Sequence, residues 1–259
     1  MALGLRNAHL IRSGITCNNA CRFCCQGDLR PLDCDLSSEE VLTEIHTLSS
    51  PIVVFAGGEV TLRPELADWV QAAKSAGVKT VVVQTNGRML SYKKFARRMV
   101  KAGVDVFSVG VHGHIAMLHE WMTRIEGSFE QALIGMRNAQ AAGAAVYVNS
   151  VVTRSSFRHL PDIAKMLPAW GARGVHFSWA HRCGACPCCA RFTPKELSAL
   201  VPAIEMVAPY LEQASGIARA LNRRVSVDLP EEPAAADEAE KTEDTSPEAP
   251  NPEPREASS

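Results

Sequence analysis

Three cysteines near the N-terminus have a spacing that suits metal or cluster binding. Cys17, Cys21 and Cys24 form a CxxxCxxC pattern directly after an apolar segment. A closed structural metal site usually takes four protein ligands, whereas a reactive centre keeps one coordination position open for a substrate or cofactor. Three thiolates therefore predict a cluster with one open iron. Taken alone, the spacing leaves a structural zinc site as the alternative.

Four further cysteines and His181 lie within nine residues, and these cysteines are Cys183, Cys186, Cys188 and Cys189. Such a density of thiols predicts a second site, either an auxiliary iron–sulfur cluster or a zinc ion. A loose or redox-active cysteine loop is the alternative, because the spacing is not a standard one. We expect Cys25 and Cys34 to be spare or buried thiols.

The composition indicates a globular protein with one large core. The chain has 259 residues, of which 46% are hydrophobic, enough for one large domain. The N-terminus has no signal-peptide pattern, and no segment approaches the roughly 18 apolar residues that cross a bilayer. We therefore expect a cytoplasmic protein without a membrane partner. In a reducing compartment, nine bunched cysteines favour ligation over disulfides.

The formal net charge of −1 hides an uneven distribution. Residues 231–259 hold ten acidic residues against Lys241 and Arg255, so that segment carries −8 and the rest of the chain +7. The same segment is rich in proline and alanine and has no aromatic residue, which predicts a disordered acidic tail. The basic remainder fits an anionic substrate or nucleic acid, although scattered surface Lys and Arg explain it more simply.

Strand and helix patterns alternate up to residue 180. Apolar, β-branched runs predict strands at 9–16, 51–55, 79–83, 104–111, 145–152 and 174–179, with glycines ending the intervening helices. Because parallel neighbours need helical crossovers, six such units predict a parallel sheet. We therefore predict an α/β fold, a partial (β/α)6 TIM-type barrel whose active site lies at the C-terminal ends of the strands.

Three regions follow from these patterns. Residues 1–180 form the barrel, residues 181–230 form a cysteine-rich loop with a short C-terminal helical extension, and residues 231–259 form the tail. A helix capped by Thr193 is predicted to continue to about Leu211, with a last short strand at 225–229. This extension would cover the open bottom or an edge of the barrel. Three tryptophans at apolar-periodic positions are predicted to be in the core: Trp121, Trp170 and Trp179.

Polar residues at the predicted strand ends would face one another across the opening of the barrel. They include the sequence Gly57-Gly58-Glu59 after the second strand, residues 85–87 after the third and His112 after the fourth. Histidine titrates near neutrality, so His112 is the candidate catalytic acid or base, ahead of His114 and His119. The alternative for each histidine is a structural hydrogen bond.

The two motifs together resemble the radical S-adenosylmethionine (radical SAM) superfamily over about residues 7–180. Cys17, Cys21 and Cys24, with the aromatic Phe23 before the third cysteine, match the CxxxCxΦC signature of that family. Gly57-Gly58-Glu59 matches the GGE motif of the family, in the expected order and at the expected strand end. The resemblance implies an enzyme with a partial barrel.

The resemblance also implies a chemistry. Three thiolates would hold a 4Fe-4S cluster, and its open iron would bind the amino and carboxylate groups of S-adenosylmethionine. Reductive cleavage would give a 5'-deoxyadenosyl radical that abstracts hydrogen from a substrate. The branch of the family that it resembles implies a peptide as the first candidate substrate, with a small metabolite or RNA as alternatives. An electron donor such as flavodoxin or ferredoxin is also implied.

Further binding residues are implied at matching positions. Gly57, Gly58 and Glu59 would form a surface for the methionine ammonium group. Polar residues after the fourth and fifth strands often bind the ribose and carboxylate of the cofactor in this family, and the matching positions here are Ser108, Asn149 and Arg154. Ordinary strand-end hydrogen bonding is the alternative for these three. The rival for the whole chain is a non-catalytic iron–sulfur or zinc protein, a sensor or nucleic-acid-binding module.

Overall fold

The computed structural model describes residue 5 and residues 7–26, 35–180 and 193–228. Within these ranges, seven strands form one parallel sheet whose spatial order follows the chain. They are β1 (His9–Arg12), β2 (Ile52–Ala56), β3 (Thr80–Thr85), β4 (Val106–Gly110), β5 (Ala145–Val152), β6 (Gly174–Trp179) and β7 (Arg224–Val227). The tail, Cys34 and the cysteines at 183–189 lie outside the described residues, so their roles stay predictions.

The helices of the described ranges link consecutive strands, as parallel pairing requires. They are α1 (Ser38–His46), α2 (Leu66–Ser75), α3 (Lys93–Ala102), α4 (Ala116–Thr123), α5 (Ser128–Ala141), α6 (Leu160–Met166), α7 (Pro194–Leu200) and α8 (Ile204–Ala220). The open parallel sheet with its helices confirms the predicted fold class. None of these helices combines the length and the apolar character of a membrane span.

The core lies between one face of the sheet and the helices. Phe55, Phe107 and Phe177 are fully buried there with Trp69 of α2 and Met99 of α3. Because successive side chains of a strand point to opposite faces, the alternate positions face the interior of the partial barrel. Several of these interior positions carry polar residues, including Ser108, Asn149 and His176. The sequence therefore builds an apolar layer beneath the helices and places several polar side chains on the inner surface of the sheet.

The sheet has one strand more than the six predicted units. β7 pairs in parallel with β6, with Gly174 opposite Arg224, and α8 supplies the connection before it. The short strand suggested at 225–229 is thus a seventh member of the sheet. The C-terminal extension consequently lengthens an edge of the partial barrel, one of the two places predicted for it.

The prediction of one helix from Thr193 to about Leu211 was wrong. Thr193 does cap α7, since its hydroxyl accepts a hydrogen bond from the Glu196 N–H at 3.2 Å, but the helix ends at Leu200. Val201 has an extended backbone with ψ of 124°, the conformation that a residue preceding proline prefers. Pro202 therefore separates α7 from α8.

Candidate functional site

The cysteine loop, residues 16–26, follows the C-terminal end of β1. Cys17, Cys21 and Cys24 are half-buried in it. The backbone N–H of Cys24 donates to the Cys21 carbonyl at 3.2 Å, and the Asn19 N–H donates to the Cys17 sulfur at 3.4 Å. A single turn-rich segment thus presents three partly accessible thiols at the strand end where the sequence places them.

The cysteine loop and the Gly57-Gly58-Glu59 loop are joined by two backbone hydrogen bonds. The Gly58 N–H donates to the Gly14 carbonyl at 2.8 Å, and the Glu59 N–H donates to the Thr16 carbonyl at 2.7 Å. A Cβ atom on Gly58 would lie 2.2 Å from the Thr16 oxygen and 2.4 Å from the Ile15 oxygen. Only glycine allows this approach, so the motif positions the segment that carries Cys17.

Glu59 joins the loop after β2 to the end of β3. Its side chain is 2% exposed, and its Oε1 accepts from the Thr85 hydroxyl at 2.6 Å while its Oε2 accepts from the Asn86 N–H at 2.6 Å. The Thr61 N–H also donates to Oε1, at 3.2 Å. Burial raises the pKa of Glu59, although these hydrogen bonds act in the opposite direction. The carboxylate therefore orders the strand ends; its predicted contact with an ammonium group stays a prediction.

Two residues after β3 hold the cysteine loop by their side chains, and no sequence pattern indicates these contacts. The Asn86 amide donates to Asn18 Oδ1 at 2.7 Å. The Arg88 guanidinium donates to the Asn18 carbonyl and, at 3.1 Å, to Asn19 Oδ1. The sequence places Asn86 among the residues at the opening of the barrel, but it does not show that this side chain binds the cysteine loop. The loop is consequently fixed from the β3 side as well as from the β2 side.

Helix α4 supports the same loop from another side. The N–H groups of Ala20 and Arg22 donate to the carbonyls of Thr123 and Met122 at 3.1 and 2.9 Å, and the Arg22 guanidinium lies 4.2 Å above the Trp121 ring. Trp121 is 49% exposed, so its predicted core position was wrong: its ring stacks with Arg22 on the surface. Trp170 and Trp179 are buried, which confirms their predicted core positions.

His112 lies against the cysteine loop but is engaged in structural hydrogen bonds. Its ring is 4.5 Å from the Phe23 ring, its Nδ1 accepts from the Val151 N–H at 3.3 Å, and its own N–H donates to His119 Nδ1 at 3.2 Å. Burial, together with the nearby His119, holds the pKa of His112 well below its usual value. The imidazole is thus neutral with Nε2 as its donor nitrogen; its catalytic role stays a prediction.

His119 gives the fold a measurable pH dependence. Burial lowers the pKa of His119 from 6.5 to about 4, so between these values the unfolded chain binds a proton that the folded chain excludes. The contribution of His119 to the free energy of unfolding is therefore fully present above pH 6.5, and about 3 kcal/mol of it is lost as the pH falls toward 4. We expect His119→Asn, which keeps an acceptor near His112, to flatten this slope in denaturant unfolding at several pH values. The exposed His46→Asn is the control; parallel curves for His119→Asn and wild type would contradict the assignment.

Ser108 and Asn149 lie on the inner surface of the sheet, on the neighbouring strands β4 and β5. Ser108 is fully buried, and its hydroxyl has no hydrogen-bond partner among the described residues. Asn149 is opposite Gly110 in the sheet, and its Oδ1 accepts from the Ser178 hydroxyl at 3.0 Å. A buried hydroxyl without a partner is costly, which fits a ligand that bonds to Ser108.

The Arg154 side chain makes its hydrogen bonds to the end of α7. Its guanidinium donates to the Ser198 carbonyl at 3.2 and 3.3 Å, and its N–H donates to the Leu200 carbonyl at 2.9 Å. These contacts tie the end of β5 to the last turn of α7. Arg154 therefore does not join Ser108 and Asn149 in the described arrangement, because the end of α7 provides its acceptors.

The residues of the site fit an iron–sulfur cluster with an open coordination position. Three half-buried thiols come from one loop, and the glycine pair beside them leaves no side chain between the loop after β2 and the cysteine loop. Thiolates are the usual ligands of such clusters. The set of donors and the backbone around it thus agree with the chemistry that the motif implies.

Comparison with known proteins gives one family. The model of the Radical SAM superfamily matches residues 11–167. An AdoMet-dependent heme synthase of Oleidesulfovibrio alaskensis is 30% identical over 165 residues, 62% of this chain and 42% of that protein. A probable GTP 3',8-cyclase of Saccharolobus islandicus is 28% identical over 174 residues, 65% of this chain and 55% of that protein.

A solved structure shares the fold. SuiB of Streptococcus suis, bound to precursor peptide SuiA, superimposes with a TM-score of 0.64 at 11% identity, covering 88% of this chain and 50% of that chain. At that identity the likeness shows the fold alone. The chain spans about half of the length of these relatives. Because the family model covers more than half of the chain and its two motifs meet in the structure, this protein belongs to the radical SAM superfamily.

Proposed function

We propose that this protein is an S-adenosylmethionine-dependent iron–sulfur enzyme whose cluster is held by Cys17, Cys21 and Cys24. The observation that carries the proposal is the direct bonding of the cysteine loop to the Gly58 and Glu59 backbone across the ends of β1 and β2. When bound, a reduced 4Fe-4S cluster supplies the electron that cleaves S-adenosylmethionine to a 5'-deoxyadenosyl radical, which abstracts hydrogen from the substrate. The protein supplies position and shielding for that chemistry.

The inner surface of the sheet supplies the polar groups for the cofactor. The Ser108 hydroxyl, which lacks a partner among the described residues, is the first of them. Asn149 on the next strand is the second, and the neutral Nε2–H of His112 offers a donor beside the cysteine loop. Arg154 takes part only if its guanidinium leaves the Ser198 carbonyl. Glu59 acts by holding Thr85 and Asn86 in place.

Two substrate classes follow from the relatives. SuiB, which shares the fold, is described with a precursor peptide, and a peptide is the first candidate here. The relatives found by sequence are named for heme synthesis and GTP cyclisation, which favours a small metabolite as the second candidate. Deuterium transfer from each candidate substrate into 5'-deoxyadenosine would distinguish the two classes.

The class of chemistry is tested without knowing the substrate. The full chain is reconstituted with iron and sulfide under anaerobic conditions, reduced with dithionite, flavodoxin or ferredoxin, and incubated with S-adenosylmethionine. We expect 5'-deoxyadenosine and methionine to form only with the reduced cluster. Absence of cleavage by a fully loaded, reduced protein would contradict the proposal. In that event, salt-dependent binding of polyanions would favour the non-catalytic sensor or nucleic-acid-binding module.

A further inference from the structure

Three potential metal ligands come together outside the cysteine loop. His114 follows β4, His159 immediately precedes α6, and Asp162 lies in the first turn of that helix. One ligand atom from each residue lies within 4.8 Å of the other two, and the two imidazole rings are 5.5 Å apart. We propose that His114, His159 and Asp162 form a mononuclear site for a divalent transition-metal ion.

The donor set favours a particular group of ions. Two imidazole nitrogens and one carboxylate oxygen suit Zn²⁺ and its first-row neighbours, and three protein ligands leave a position open for water or substrate. Two ligand atoms bonded at about 2.0–2.1 Å in a tetrahedral site lie about 3.4 Å apart, so from a separation of 4.8 Å they must approach each other by about 1.4 Å. All three residues are half-buried, so small rotations of the side chains suffice and the site stays accessible.

An independent observation singles out His114. Its Nδ1 atom is buried and has no hydrogen-bond partner among the described residues. The two other histidines of the same segment differ, because Nδ1 of His112 and Nδ1 of His119 each accept a backbone N–H. Leaving a buried nitrogen unpaired is unfavourable. A metal ion bound through this nitrogen would give it a partner.

The carboxylate is available for a cation. Lys165 donates to Asp162 Oδ1 at 3.0 Å, but its side chain is 58% exposed, and an exposed pair of this kind contributes little. That hydrogen bond uses one oxygen of Asp162, so its second oxygen can bind metal beside the lysine.

The site is separate from the cysteines but lies at the same edge of the sheet. His114 is two residues after His112, whose ring contacts Phe23 of the cysteine loop. A bound ion would join the segment after β4 to the start of α6, which follows β5. It would thereby fix the two strand ends that carry the inner polar groups, Ser108 and Asn149. The inference does not depend on cleavage of S-adenosylmethionine.

The first test is a zinc titration of the full chain with its cluster reconstituted, using a chromophoric chelator as competitor. We expect His114→Ala to lose one equivalent of Zn²⁺ relative to wild type and Asp162→Asn to bind that equivalent at least about 10-fold more weakly. His46→Ala, which removes an exposed histidine of α1, should bind as wild type does. All thiols are present in every variant, so their zinc cancels in the comparison. Equal stoichiometry and affinity in all four proteins would overturn the proposal.

A second measurement needs no variant and so is independent of folding defects. Wild-type protein is treated with diethyl pyrocarbonate with and without Zn²⁺, and modified histidines are identified by mass spectrometry. Zinc is expected to protect His114 and His159 and to leave the modification of His46 unchanged. Unchanged modification of His114 and His159 at saturating zinc would exclude the site.

Discussion

Replacing Cys17, Cys21 and Cys24 together by alanine is expected to remove the cluster and abolish cleavage of S-adenosylmethionine. The three thiols come from one loop, and the one other cysteine in residues 16–26, Cys25, cannot replace all three ligands. Since the iron would lose all of its protein bonds, we expect a loss of about four iron atoms per chain. The rate enhancement lost is at least about 10⁶-fold, so that 5'-deoxyadenosine formation falls below detection. Iron, sulfide and product analysis measure these effects.

Cys25 provides the matched control. It is half-buried in the same loop and directly follows Cys24, so Cys25→Ala makes the same chemical change one residue away. We expect it to keep iron and activity. A separate variant lacking Cys183, Cys186, Cys188 and Cys189 counts any second cluster, because its iron loss must add to that of the triple variant. Full cleavage by the triple variant would refute the assignment of the three ligands.

The strands were predictable because a strand that is buried on both faces has a continuous run of apolar residues. The continuous apolar runs of β2 and β3 follow directly from that burial. The positive φ angles of Gly77 and Gly103, +91° and +120°, show why helices end at those positions. The break after Leu200 was also readable, since Pro202 restricts Val201. The apolar spacing, however, continues unchanged from α7 into α8 and so favours one continuous helix.

The supports of the cysteine loop were not predictable in the same way. Arg88 and Asn18 are 70 residues apart, and Arg22 and Trp121 are 99 residues apart. A single polar residue in a loop has no periodicity, and its partner depends on where another strand ends. The motifs therefore locate the centre of the site from the sequence. The side chains that hold the cysteine loop are identified only from the arrangement of β3 and α4 in the structure.

Gly58→Ala is expected to damage the site without changing a ligand. The added methyl group would lie 2.2 Å from the Thr16 oxygen and 2.4 Å from the Ile15 oxygen, and both belong to backbone that cannot rotate away. The loops must separate, which weakens the Gly58–Gly14 and Glu59–Thr16 hydrogen bonds. Two weakened bonds cost about 1–3 kcal/mol, and we expect a fall in Tm of about 2–10 °C, together with reduced iron incorporation at Cys17.

Gly216→Ala is the control, because it adds the same methyl group where nothing lies within 4 Å. Gly216 is exposed in α8, and alanine is the better helix former by about 1 kcal/mol, so Tm should stay constant or rise. The comparison separates the general effect of a methyl group from the contact between the two loops. If Gly58→Ala matched Gly216→Ala in both Tm and bound iron, the close approach at Gly58 would not be what positions the cysteine loop. If only iron incorporation fell, the motif would serve the cluster more than the fold.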